Sequence, residues 1–239
     1  APSKPIVPFS NCVHDRAVVE LRRGCGRMCR FCQAGHTNLP IRERSKEDVL
    51  EIADLILKNS GYDEISLLSL SSNDYSDIEN LLEVLSKKLS DQNVSISLPS
   101  QRIDKFSVKI AKEINKVRKA TITLAPEAGS QRMRDVINKN LTKDQILSTI
   151  LTCYQNGFDS FKLYFMLGLP TETKEDIKEM ANLLFEIVDA ANEIKKEKNI
   201  AKFLTLTVSL SIFVPKPFTP FQFAPQESLV SVDEKIKYL

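Results

Sequence analysis

No stretch of this 239-residue chain comes near the roughly 18 consecutive apolar residues needed to cross a bilayer. The longest apolar runs lie around Leu67 and Leu204 and are far shorter. No charged-then-apolar leader opens the chain at Ala1, so it reads as neither membrane-inserted nor secreted. An excess of one charge is also missing: 33 basic residues face 31 acidic ones for a net charge of +2. Bulk electrostatics therefore implies no nucleic-acid partner, and only a local basic cluster could matter. Low-complexity tracts, repeats of about 20–50 residues and a midpoint linker are absent, and an apolar content of 42% excludes disorder. The cysteines number five, an odd count, and three of them crowd between Cys25 and Cys32. A secreted disulfide framework is not laid out that way, so the reading is of a cytoplasmic protein.

What is present is an alternation of strand and helix signals. Residues 1–15, with Pro2, Pro5 and Pro8, read as an extended lead-in. Strands are expected at Arg16–Leu21, Glu64–Leu70, Val94–Leu98, Ala120–Ala125, Ser160–Leu167 and Phe203–Val214. Between them fall helical stripes at Ser45–Asn59, Asp77–Leu89, Asp104–Lys116, Gln131–Ile137, Thr142–Gln155 and from Thr173 to about Lys195, with Ser45, Thr142 and Thr173 as caps. Helices of this length between strands point to βαβ units and a parallel sheet. A closed eightfold barrel takes about 250 residues, so six units predict an α/β fold: a partial, open (β/α)6 TIM-like barrel, with a doubly wound sheet as the other option. One core domain over residues 16–226 and a C-terminal extension over 227–239 complete the expected organisation.

Directly after the first strand lies Gly24-Cys25-Gly26-Arg27-Met28-Cys29-Arg30-Phe31-Cys32. Three sulfurs so close in sequence can converge on one centre, and the glycines let the backbone turn around it. Arg22, Arg23, Arg27 and Arg30 surround them with no acidic residue from Leu21 to Cys32, which favours thiolates. Three readings compete: unrelated cysteines, a structural Cys3His zinc site completed by His36, and an iron–sulfur cluster with one iron lacking a protein thiolate. A loop at the carboxyl end of a barrel strand is where such folds place chemistry, which favours the third. Cys153 sits on the apolar stripe of a helix and reads as core; Cys12 does not extend the array.

The C-x3-C-x2-C array with Phe31 before its last cysteine resembles the signature of radical S-adenosylmethionine (SAM) enzymes. The resemblance implies a [4Fe-4S] cluster on Cys25, Cys29 and Cys32, with SAM chelating the fourth iron. Reduction then cleaves a C–S bond to give a 5′-deoxyadenosyl radical that takes hydrogen from substrate. Segments after the later strands follow the same pattern. By resemblance, Ser72 and Asn73 fall where methionine-moiety contacts are made, although the usual Gly-Gly-Glu is absent, and Ser100 and Arg102 add polar groups. Within Ala125-Pro126-Glu127-Ala128-Gly129-Ser130, Glu127 corresponds to a contact with the cofactor ribose or amino group, and Lys139 to one with its carboxylate. Gly168 and Pro170 resemble an adenine-side element, and Val214 a backbone adenine contact.

The overlap runs from about Arg16 to Phe223. CQAG at Cys32–Gly35, RERS at Arg42–Ser45, LAPEAGSQRMRDVINK at Leu124–Lys139 and FVPKPFTPFQ at Phe213–Gln222 are similar to the catalytic domain of B12-binding-type radical SAM proteins, with Phe218 where a His is expected. The resemblance implies a parent protein with flanking domains missing here, and cobalamin as a cofactor that parent could use without its being bound by this chain. It also implies an electron donor such as flavodoxin or ferredoxin, and methyl or methylthio transfer on RNA or a ribosomal protein as the reaction class. The competing non-enzymatic reading is a zinc-stabilised α/β module that sets Arg22, Arg23, Arg27, Arg30, Arg42 and Arg44 against phosphates.

Overall fold

A computed structural model describes residues 2–10, 15–117 and 121–239. Cys12, the lead-in residues Ala1 and Asn11, and Ala120 at the start of the expected fourth strand lie outside the described residues. In chain order the strands and helices are β1 (Ala17–Glu20), β2 (Arg22–Arg23), α1 (Ala34–Thr37), β3 (Arg42–Glu43), α2 (Lys46–Ser60), β4 (Glu64–Leu68), α3 (Ile78–Ser90), β5 (Ser95–Ser97) and α4 (Val108–Ile114). They continue with β6 (Ile122–Glu127), α5 (Gln131–Val136), α6 (Lys143–Gln155), β7 (Ser160–Leu167), α7 (Lys174–Glu197), β8 (Thr205–Ile212) and α8 (Leu229–Tyr238). Two compact units result: Ala1–Gly24 with Pro40–Ala120, and Cys25–Leu39 with Thr121–Leu239.

In the first unit β1, β4 and β5 form a parallel sheet with β4 central, Ala17 opposite Ile65 and Glu64 opposite Ser95. Alternation explains the inward face of β1, since Ala17 and Val19 are buried while Val18 is exposed. Ser45 caps α2 as its spacing predicts, its hydroxyl accepting from Asp48 N at 3.1 Å. On α3, Leu81, Leu82, Leu85 and Leu89 fill one buried stripe. The expected helix over Asp104–Lys116 is instead a 3-10 turn at Ile103–Lys105 followed by α4. Phe106 between them is extended and buried, and Ser107 restarts the helix by accepting from Ile110 N. A short antiparallel pair, β2 with β3, sets Arg22 opposite Glu43 and Arg23 opposite Arg42; the sequence carries no periodicity that announces it.

The second unit holds the parallel sheet β6-β7-β8. Phe161, Leu163, Phe165 and Leu167 of β7 are buried on one face. Capping boxes open the two long helices: Thr142 with Gln145 for α6, Thr173 with Asp176 for α7. Helix α7 buries Ile177, Met180, Leu183, Ile187 and Ala191 along one helical stripe. Gly129 lets the backbone come close to it, because a Cβ there would lie 2.1 Å from Met180 Cα. The C-terminal stretch joins this unit, with Val232 of α8 buried and Lys235 bridging Glu172 and Glu227. Neither three-stranded sheet closes on itself. Among the described residues no helix is long and apolar enough to cross a membrane.

Candidate functional site

In the second unit the cysteine loop is held by its backbone. Gly24 at φ 88° and Met28 at φ 54° turn the chain before and within the array. The loop's anchor is the C-terminal end of α5, whose last carbonyls have no partner within the helix. Arg30 N donates to Ile137 O at 2.9 Å, and the Arg30 guanidinium donates to Val136 O at 2.6 Å and Asp135 O at 3.2 Å. The side-chain amide of Asn138 donates to Met28 O at 3.0 Å and Arg27 O at 3.3 Å. From the other side, Phe221 N donates to Arg30 O and Gln33 Nε2 to Pro217 O. Cys25, Cys29 and Cys32 are each half-buried and free of disulfides. Cys153, by contrast, is fully buried in α6, and burial pushes its thiol up to about 11.

The backbone of the cysteine loop orients the His36 ring. Its Nδ1 stands 2.8 Å from Cys32 O, an oxygen that can only accept, so that nitrogen carries the proton. Among the described residues no three His, Cys, Asp or Glu side chains are gathered as one metal ion would need. A zinc ion with bonds of about 2.3 Å to sulfur requires donors packed around a single point. The Cys3His alternative thus receives no support.

The segment Leu124–Lys139 is built around one irregularity. Pro126 cannot donate to a ladder, and the β6–β7 register shifts between Leu124 and Glu127. The bulge re-aims Glu127, which takes φ 68°, a left-handed value costly for a residue with a Cβ. Twelve residues on, α5 ends in a Schellman turn: Asn138 at φ 56°, Asn138 N donating to Asp135 O, and Lys139 N to Arg134 O at 2.8 Å. That turn sends Lys139 back to Glu127, Nζ to Oε1 at 3.1 Å, with both side chains mostly buried.

Arg134 braces the same turn from beneath. It is 1% exposed and donates to Ala128 O, Gly129 O, Leu141 O and Gln131 Oε1. Burial pulls its pKa below the ordinary value. Sequence reasoning missed both Arg134 and Asn138. An Asn just past a helical stretch is a signal for the turn, but an Arg on a helix looks like a surface charge until its carbonyl partners are known.

Phe31 packs on a buried group formed by Ala128, Met133, Ile137, Leu169 and Phe213. Phe221 joins it edge-on to Phe213, ring centres 6.0 Å apart. Gly168 N donates to Glu172 Oε2 at 2.8 Å, Pro170 is half-buried, and Val214 is exposed. Phe218 is exposed at φ 62°.

In the first unit the remaining expected residues come together by hydrogen bonds. Ser72 and Asn73 lie on a 3-10 turn after β4 and are buried. Ser72 N donates to Ser100 O at 3.2 Å, Asn73 Nδ2 to Arg102 O at 2.7 Å, and Arg102 N to Asn73 Oδ1 at 2.8 Å. Arg102 is itself buried and paired with Asp104 at 2.8 Å. The loops after β4 and β5 are thus one polar assembly.

Comparison with known proteins places these features in context. The family model of the Radical SAM superfamily matches residues 19–184. An uncharacterized protein of Methanocaldococcus jannaschii is 35% identical over 222 residues, 93% of this chain and 45% of that protein. The tRNA-2-methylthio-N(6)-dimethylallyladenosine synthase of Clostridium botulinum is 27% identical over 195 residues, 77% of this chain and 42% of the enzyme. The chain therefore spans less than half the length of the curated relatives it matches. Among solved structures, the radical S-adenosylmethionine methyltransferase TsrM from Kitasatospora setae, with cobalamin and a [4Fe-4S] cluster bound, superposes with a TM-score of 0.64 at 12% identity. That match covers 87% of this chain and 38% of TsrM. The likeness is one of fold: parallel strands alternating with helices in open sheets, the α/β class expected from the sequence.

Proposed function

The chain belongs to the radical SAM superfamily, and from that membership we propose that it is the radical-generating domain of a longer enzyme. Cys25, Cys29 and Cys32 would hold a [4Fe-4S] cluster. The observation that carries this reading is the division of labour in the loop: Arg30, Asn138 and Phe221 pin its backbone, and three half-buried thiols are left without disulfide partners. A cluster with a thiolate on each of three irons takes its ligands from three such cysteines on one loop. When bound, the cluster supplies an electron to SAM, whose C–S bond breaks to leave a 5′-deoxyadenosyl radical able to take hydrogen from substrate.

The chain's own residues bind and orient. Phe31 anchors the last turn of the loop in the apolar group under Phe213 and keeps water from that side. Glu127 and Lys139 neutralise each other at 3.1 Å, so a zwitterionic amino acid can insert between them without leaving net charge behind: carboxylate to Lys139, ammonium or ribose hydroxyls to Glu127. Gly168, Pro170 and Val214 are assigned to the adenine side, and Ser72, Asn73, Ser100 and Arg102 to polar contacts with the cofactor, all by their match to the family pattern.

The parent enzyme is read as cytoplasmic, reduced by a flavodoxin or ferredoxin, and acting by methyl or methylthio transfer on RNA or protein. A tRNA-modifying relative and a cobalamin-bound structural neighbour support that class.

The test is anaerobic reconstitution with iron and sulfide, then dithionite reduction and electron paramagnetic resonance with and without SAM. A reduced-cluster signal that shifts on adding SAM is expected, and Cys29→Ala should remove it while far-ultraviolet circular dichroism stays unchanged. Stoichiometric zinc with no iron uptake would overturn the reading, as would unfolding of Cys29→Ala, the signature of a structural metal.

A further inference from the structure

The first unit contains a cleft of about 250 Å³ lined by Glu20, Leu21, Arg22, Arg23, Arg42, Glu43 and Arg44. Its floor is an arginine in an uncomfortable position. Arg22 is 9% exposed, and its buried Nε and Nη1 have no hydrogen-bond acceptor among the described residues. A guanidinium cannot shed its charge to escape that cost. The carboxylates nearby balance the charge without bonding it well: Glu43 Oε1 lies 3.3 Å from Nε and Asp74 Oδ2 3.8 Å from Nη1. Both groups serve other donors, Glu43 Oε2 accepting from Ser76 Oγ at 2.7 Å and Asp74 Oδ2 from Ser71 Oγ at 2.7 Å.

The rim is also basic. Arg23 clasps Glu20 through two hydrogen bonds of 2.9 and 2.8 Å, and Arg44 donates to Glu20 O at 2.9 Å. The Arg42 guanidinium is exposed and makes no hydrogen bond among the described residues. Four arginines against Glu20, Glu43 and Asp74 leave one net positive charge, the complement of a single phosphodiester. The volume is several times the roughly 30 Å³ of a water, so it admits a phosphate with part of its sugar. Arg22 lines the floor, and charge continues outward to the exposed Arg23 and Arg42, as suits an anion that is one link of a chain.

We propose that this cleft is a binding site for a backbone phosphodiester of a polynucleotide substrate, with Arg22 at its floor and Arg42 at its rim. The proposal deepens the RNA half of the function proposed above and rests on it for the substrate class, but it needs no cluster. A failure here therefore leaves the radical chemistry to be judged by its own spectroscopy.

The experiment is fluorescence anisotropy of the 239-residue chain, without reconstitution, titrated into a labelled oligouridylate of about twelve nucleotides over a series of KCl concentrations. Arg42→Gln should weaken binding about five- to tenfold and reduce the slope of log affinity against log salt by about 1. Arg22→Met, checked for folding by circular dichroism, should weaken it further, and the equal-charge control Lys178→Gln should change affinity less than twofold. Millimolar inorganic phosphate should compete.

Three outcomes overturn the proposal: equal affinity of Arg42→Gln and parent; phosphate competition with no gain in affinity from a mononucleotide to the oligomer, which makes this a metabolite site; or loss of SAM rather than RNA binding in Arg42→Gln, which gives the cleft to the cofactor. Because Arg42 is exposed, its variant keeps the test decisive even if Arg22→Met fails to fold.

Discussion

Replacing Gly129 by alanine adds one methyl group where there is no room for it. The new Cβ would stand 2.1 Å from Met180 Cα, 2.4 Å from Met180 N and 2.5 Å from Met180 Cβ. Carbon atoms rest at about 3.5–4.0 Å, so α7 must withdraw by roughly 1.5 Å. The obstacle is backbone, which no rotamer change can clear. Withdrawal loosens Ile177 and Met180, each nearly fully buried. A gap of 0.5–1 Å already forfeits a quarter to a half of the contact energy, and burial of each side chain is worth about 1.5–3 kcal/mol, so this part costs about 1–3 kcal/mol. It also stretches the 2.6 Å bond from Ser130 Oγ to Asp176, a hydrogen bond to a charged group worth about 1.5–3 kcal/mol.

Gly129→Ala is therefore expected to lose about 3–5 kcal/mol, read as a lower urea midpoint at unchanged slope by circular dichroism. Gly157 separates contact from backbone strain: it sits at φ 89° with nothing near its Cβ position. Gly157→Ala should cost only about 1–2 kcal/mol. A loss below 1 kcal/mol for Gly129→Ala would show that α7 yields freely and refute the argument.

Other expectations concern charge. Asp176 is 6% exposed, and burial alone would raise its pKa, but hydrogen bonds from Arg132, Ser130 and Thr173 outweigh that and hold it below the ordinary carboxylate range. Stability from such a depressed group is present above the unfolded value near 3.9 and is lost as pH falls beneath it; Asp176→Asn should be weaker by about 2–4 kcal/mol at pH 7 and decline less with acid, and parallel acid slopes in urea titrations would count against it. Burial raises the pKa of Glu172, with Lys235 and Gly168 N opposing the rise. Lys235→Met removes its counter-charge, so the loss, about 2–4 kcal/mol at pH 8, should shrink by pH 5 as Glu172 takes a proton; a deficit independent of pH would refute the pairing. Glu127→Ala should weaken SAM binding about tenfold by anaerobic calorimetry, a contact worth roughly 1.4 kcal/mol, with the cluster signal intact, and unchanged affinity removes Glu127 from the site.

Much of the first layer of organisation was legible from local spacing. The expected strands at Glu64–Leu70 and Ser160–Leu167 overlie β4 and β7, and Ser45, Thr142 and Thr173 cap the helices that follow them. These features depend on residues three or four apart, so one segment contains all the information needed. The break at Phe106 did not show, because a helix and an interrupted helix share the same apolar stripe until burial of the ring decides between them.

The cysteine array, the caps and the alternation of elements belong to the sequence itself, since each is a matter of neighbours along the chain. Tertiary structure alone decided that Glu127 meets Lys139, that Asn73 ties to Arg102, and that Arg22 is left at the floor of a cleft. Those facts hang on partners far apart in sequence or on a bulge at Pro126, and no local preference states which distant carbonyl or carboxylate a side chain will meet. The same arginine that reads as a solvated charge on paper becomes a brace, as Arg134 does, or an unsatisfied donor, as Arg22 does, only once the fold removes water from around it.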